Sequence, residues 1–178
     1  MARRPETVGT LELDLCYAAR RPWVPRRAHF AAWVSAALAA RRGAGVREAR
    51  AGARAGAGVH AGAGVVDLSI RVVGAARSRS LNLRYRGKDR PTNVLSFGGA
   101  GPLPDGRHDL GEIVICAPVV AREAREQMKS AEAHWAHLTV HGVLHLLGFD
   151  HERVAEARKM EGRETQILDR LGFSNPYS

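Results

Sequence analysis

The segment HWAHLTVHGVLHLLGFDH, residues 134–151, constrains this chain more than any other stretch, because it holds five of the eight histidines inside an apolar run. Leu138, Val140, Val143, Leu144 and Leu147 give it helical spacing and a largely buried character. His141 and His145 are four apart, so they leave one helix face about 6 Å apart along the axis, close enough for both imidazoles to reach one ion. Gly148 can adopt the left-handed backbone that ends a helix, and the chain can then return His151 towards the same ion. The spacing reads HxxxHxxGxxH.

His137 shares this face one turn earlier but lies about 12 Å along the axis from His145. Metal bonds of about 2 Å cannot span both, so His137 is expected behind the ligands or facing substrate, and His134 on the surface. Three neutral imidazoles without a fourth protein ligand leave a position for water, as in a catalytic zinc site. They also leave the ion its full charge, which acidifies water and attracts anionic oxygen. An HExxH peptidase helix carries its base directly after the first histidine, where this chain has Gly142. Either the metal activates water unaided, or a carboxylate such as Asp150, Glu152 or Glu112 supplies the base. This weakens a peptidase reading and leaves phosphodiester cleavage open, where charge neutralisation does much of the catalysis.

Charge distribution points the same way. The chain of 178 residues carries a formal net charge of +9. Residues 1–64 hold eleven basic and four acidic residues, but the arginine there comes with abundant alanine and glycine and reads as compositional bias. RSRSLNLRYRGKDR, residues 77–90, holds six basic residues against Asp89 alone, while residues 91–178 are slightly acidic. A local basic patch suits a polyanion, since phosphate contacts add up when they lie side by side. Apolar residues reach 45%, enough for a core. Neither a membrane-spanning run nor a secretory leader is evident, and two cysteines allow no disulfide framework, so a soluble cytoplasmic protein without membrane partners is expected.

The expected fold is α+β, a small mixed β-sheet with helices packed mainly on one side, in a single domain over 1–178. Strands are read at 8–16, 65–73, 92–97 and 109–116, with a Gly/Pro-rich connection between the last two. Helices are read from Pro25 to Gly43, over 75–86 with Leu81 and Leu83 turned inward, from Pro118, over 131–147, and over 152–171 with Met160, Ile167, Leu168 and Leu171 near one face. Residues 43–64, Gly and Ala with scattered Arg, read as a flexible insertion without chemistry, His60 included.

HGVLHLLGFDH (141–151), together with LNLRYRGKDRPTNVLSF (81–97) and DLGEIVIC (109–116), resembles the YbeY family of bacterial endoribonucleases and rRNA maturation factors. The resemblance covers about residues 65–172. It implies a mixed sheet flanked by helices with a zincin-like metal helix, and a metal held by His141, His145 and His151. It also implies Arg86 as a functional arginine beside the ion, and as partners the small ribosomal subunit and its 16S rRNA, with roles in 16S 3′-end maturation and ribosome quality control. Gly98 and Gly99 follow Phe97 where family members often have Pro, a departure expected to alter the loop and not the site. Independently, a guanidinium at Arg86 can grip two phosphate oxygens and stays charged at any working pH.

The reading that results is an endoribonuclease acting on single-stranded RNA with one Zn2+ ion, with His141, His145, His151 and Arg86 as catalytic residues and DNA not expected as a substrate. The alternative is a ribosome-assembly binding factor whose metal is mainly structural.

Overall fold

The computed structural model describes residues 10–19, 22–40, 64–149 and 153–178. Four strands form one sheet: β1 (Thr10–Tyr17), β2 (Val65–Val73), β3 (Val94–Pro102) and β4 (Arg107–Cys116). The order is β1-β2-β4-β3, with β1, β2 and β4 parallel and β3 antiparallel at one edge. Five helices accompany it among the described residues: α1 (Arg27–Ala40), α2 (Ala75–Arg86), α3 (Ala117–Glu126), α4 (Ala131–Leu146) and α5 (Val154–Arg170). The expected α+β fold with a small mixed sheet is observed.

Strand alternation determines where the helices pack. Val66, Leu68, Ile70 and Val72 of β2 join Ile113 and Ile115 of β4 on one face, and there they meet α1, α4 and α5 in the main core. Phe30 of α1 packs edge-on to Trp135 of α4, with ring centroids 5.8 Å apart, a contact worth about 1 kcal/mol beyond its buried area. The other face is partly polar. Leu95, Val114 and Cys116 pack there under Leu81 of α2, while Arg107 reaches Asp67 and Glu12 and so ties three strands together.

Two expectations change at this level. Leu83 is 49% exposed, because it sits on the outer side of α2 while Leu81 faces the sheet. The glycines after Phe97 extend β3 to Pro102, and the turn is confined to Leu103–Gly106, closed by the Leu103 N–H donating to the Arg107 carbonyl at 2.8 Å. Residues 43–63 of the expected insertion and its His60 lie outside the described residues, as does Gly43 at the expected end of α1.

Candidate metal centre

α4 forms where the periodicity places it. The Ser130 hydroxyl caps its first turn by accepting from the Ala133 N–H at 3.1 Å. At the other end Gly148 adopts φ 89°, the left-handed turn expected of it, with its N–H on the His145 carbonyl at 2.9 Å. The helix lies against the sheet at Gly142, where a Cβ would stand 3.0 Å from two Ile113 side-chain carbons and 3.2 Å from the Ser96 hydroxyl. The position that carries the base in HExxH helices thus faces the sheet, where even a methyl group would press on Ile113 and Ser96.

This close seating presents His141 and His145 together, half-buried, with their Nε2 atoms 3.1 Å apart. Two ligands bonded at about 2.0 Å in a tetrahedral site stand about 3.3 Å apart, so the pair already has nearly the required separation. Nδ1 of His141 lies 2.7 Å from Oε1 of Glu164 on α5. An ionised carboxylate only accepts, so Nδ1 carries the proton and Nε2 keeps its lone pair. A carboxylate behind an imidazole in this way orients the ring and raises its basicity as a ligand.

Glu164 is fully buried and collects further donors. His137 Nε2 lies 3.1 Å from Oε2, and the Tyr177 hydroxyl donates to the same oxygen. Burial by itself would raise the carboxyl pKa, but the hydrogen bonds from His137, His141 and Tyr177 outweigh it and hold the pKa down to about 2. Burial and the adjacent carboxylate push the Tyr177 phenol well above its usual value, which keeps it a donor. Ligand atoms of His137, His141 and Glu164 all lie within 4.8 Å of one another, a group that could hold a metal ion. The donor set, two imidazoles and a carboxylate with two further imidazoles on the same helix, fits a borderline cation such as zinc.

The remaining expected residues are placed as follows. His151, Asp150 and Glu152 lie outside the described residues. Glu112 is on the sheet face away from α4, since the adjacent Ile113 faces Gly142, and it pairs with Arg71 at 2.8 Å; it is not placed as a base for α4. His134, expected on the surface, is 3% exposed, because the turn that brings α3 against α4 sets Glu123 2.8 Å from its Nε2. Arg86, the exposed last residue of α2, lines a cavity of about 320 Å³ with Lys88, Arg90, Asn93, Arg122 and Glu123, and no α4 histidine lines it.

Glu164 did have a sequence signal. The spacing that brings Met160, Ile167, Leu168 and Leu171 to one face of α5 also passes through position 164. A carboxylate at a core position of an amphipathic helix needs buried partners. Tyr177 had no comparable signal, since its contact depends on how the chain end folds back.

Histidines presented on a helix beside a buried carboxylate form a site of the histidine–carboxylate kind that could hold a metal ion. Comparison with known proteins gives the particular family. The family model described as endoribonuclease YbeY matches residues 51–172. A curated endoribonuclease YbeY of Alkalilimnicola ehrlichii is 50% identical over 170 residues, covering 94% of this chain and 91% of that protein. Another, from Stenotrophomonas maltophilia, is 49% identical over 178 residues, covering 97% and 98%. A solution structure from Thermotoga maritima, 20% identical, superposes with a TM-score of 0.50 over 94% of this chain and 99% of that one, a likeness of fold. The chain belongs to the YbeY family of endoribonucleases, which are hydrolases of RNA.

Proposed function

We propose that this protein is a metal-dependent, single-strand-specific endoribonuclease of the cytoplasm, folded as one domain, that acts on 16S rRNA at the small ribosomal subunit in 3′-end maturation and ribosome quality control. The observation that carries the metal-dependent part is the pair of facing Nε2 atoms of His141 and His145, 3.1 Å apart, with Glu164 behind the first. The RNA substrate is supported by family membership, and the ribosomal setting is what the resemblance of the motifs implies.

His141, His145 and His151 are the residues we assign to one Zn2+ ion. Zinc bound there supplies Lewis acidity, lowering the pKa of water and neutralising phosphate charge. Glu164 holds the His141 ring in its ligating tautomer, and His137 and Tyr177 hold Glu164. Arg86 places a permanent charge on the phosphate backbone of the strand. Gly142 leaves the helix without a base of its own, which separates this site from peptidase helices.

The test is cleavage of single-stranded, rRNA-derived oligonucleotides by purified protein. His141→Ala and His145→Ala should each abolish cleavage, and chelation should abolish it reversibly. Equal cleavage by wild type and both variants would show a contaminating nuclease and remove the proposal. The second reading, an assembly factor with a structural metal, is favoured by the burial of α4. It requires chelation to lower the melting temperature while RNA cleavage is absent throughout.

A further inference from the structure

Tyr85 of α2 stands over the edge strand β3 with 55% of its surface exposed. A lone exposed aromatic is ordinary on a protein surface, but this ring is held by two neighbours. Its centroid lies 4.9 Å from that of Phe97 on β3, at an interplanar angle of 63°. Phe97 packs in turn against the cluster that contains Leu95, Val114 and Cys116, so the edge-on pair anchors Tyr85 to the sheet. The guanidinium carbon of Arg84 lies over the Tyr85 ring, 5.4 Å from its centroid. Among the described residues the Tyr85 hydroxyl makes no hydrogen bond and Arg84 no ion pair, so the fold uses neither polar group. Tyr85 does not line the cavity beside Arg86.

The surrounding charge narrows what such a ring can take. α2 carries Arg77, Arg79, Arg84 and Arg86 and no acidic residue. Of these, among the described residues, Arg79 alone is paired, with Asp89. An apolar protein segment laid on Tyr85 would strip water from unpaired cations without replacing it. An unpaired nucleotide brings a flat π face for the ring and a phosphate for the cations around it. The ring is already in place before binding, so little ordering has to be supplied by the ligand.

β3 connects this ring to the histidine helix. Ser96 and Phe97 are adjacent in the strand, so their side chains leave opposite faces of the sheet. The Ser96 hydroxyl lies 3.3 Å from the carbonyl of Gly142, the residue after His141, while Phe97 meets Tyr85. Consecutive residues of one edge strand therefore touch the two places, and a strand of RNA crossing that edge meets both. We propose that Tyr85, with Arg84 over it, stacks one base of a single-stranded RNA close to the nucleotide whose phosphate reaches the α4 histidines. The proposal rests on RNA as the substrate and adds a subsite for a nucleobase. Stacking of this kind reads no sequence, since every base has a π face, but it requires a base that is free of a duplex stack.

The experiment measures binding of a labelled single-stranded oligoribonucleotide by the full chain at several salt concentrations, with its cleavage followed alongside. Tyr85→Ala and Tyr85→Leu should each weaken binding about 5- to 150-fold, the effect of losing one stacked base. The dependence of log affinity on log salt should keep its wild-type slope in both, because no phosphate contact is removed. Tyr85→Leu still covers Phe97 and so separates a lost ring from a loosened strand edge. Tyr85→Phe and Tyr85→Trp should bind as the wild type does. RNA cleaved by the wild type and bound equally well by Tyr85→Leu overturns the stacking subsite and leaves the activity standing. Affinity lost in Tyr85→Phe as well assigns the effect to the hydroxyl and overturns stacking. Binding weakened in Tyr85→Leu and kept in Tyr85→Phe, without cleavage by any form, supports the subsite and removes the activity. A wild type that binds no RNA overturns both.

Discussion

Glu164 and His141 stand 2.7 Å apart, carboxylate to Nδ1, so a residue of α5 sets the tautomer and pitch of a ring that α4 directs at His145. The relationship joins two helices separated in sequence by residues 147–153, so a metal held at His141 would depend on how α5 docks.

Replacing Glu164 by Gln tests that dependence. Gln preserves the shape but places an amide NH2 among donors, so one of the rings loses its acceptor. Metal affinity should fall about 10- to 100-fold, the usual effect of removing such a supporting group. Chelator competition on purified protein measures it, and an affinity equal to wild type would show that Glu164 has no bearing on the ligand.

Tyr177→Phe removes one of the donors on the same buried carboxylate. A hydrogen bond to a charged group contributes about 1.5–3 kcal/mol, and the lower end applies because the Tyr177 side chain is 48% exposed. Urea unfolding should show a loss of about 1.5 kcal/mol, together with a smaller drop in metal affinity than Glu164→Gln produces. An unchanged midpoint would mean that the chain end does not support the site.

Gly142→Ala adds a methyl group where Ile113 and the Ser96 hydroxyl already stand at 3.0–3.2 Å. Overpacking of this kind costs about 1–3 kcal/mol, so the variant should unfold at lower denaturant. Gly142→Glu, which writes HExxH into the sequence, should destabilise further and give no peptidase activity in a peptide digest, because the side chain would point into the sheet.

Acid should loosen the sheet through Asp67. Hydrogen bonds from Arg107 lower the Asp67 carboxyl below its ordinary value, against a smaller opposing effect of burial. A carboxyl whose folded pKa is depressed stabilises the fold fully above its unfolded pKa of about 4 and loses that contribution as pH falls through the folded value. Asp67→Asn should therefore melt lower than wild type at pH 7, with the gap closing below about pH 4. A gap that stays constant down to pH 2 would contradict the assignment.

Legibility differed between kinds of structure. β2 and α2 fall at the residues where alternation and helical spacing put them, since each pattern is local and each element buries the face that the pattern marks. Leu83 is exposed against expectation because spacing gives a helix an apolar side without saying how wide the covered stripe is. His134 is buried against expectation for a related reason. A polar residue near a helix start is buried when another element supplies its partner, and α3 supplies Glu123.

By itself the sequence determined the histidine-bearing helix, the left-handed turn at Gly148, the basic loop after α2 and the family to which they point, all carried by neighbours within a few positions of each other. Only the tertiary structure decided that Glu164 and Tyr177 stand behind the histidines, that Glu112 faces away, and that Arg86 joins Arg122 around a cavity. Such pairings depend on which faces of distant elements meet, and that is decided by burial of the whole core and not by any local pattern.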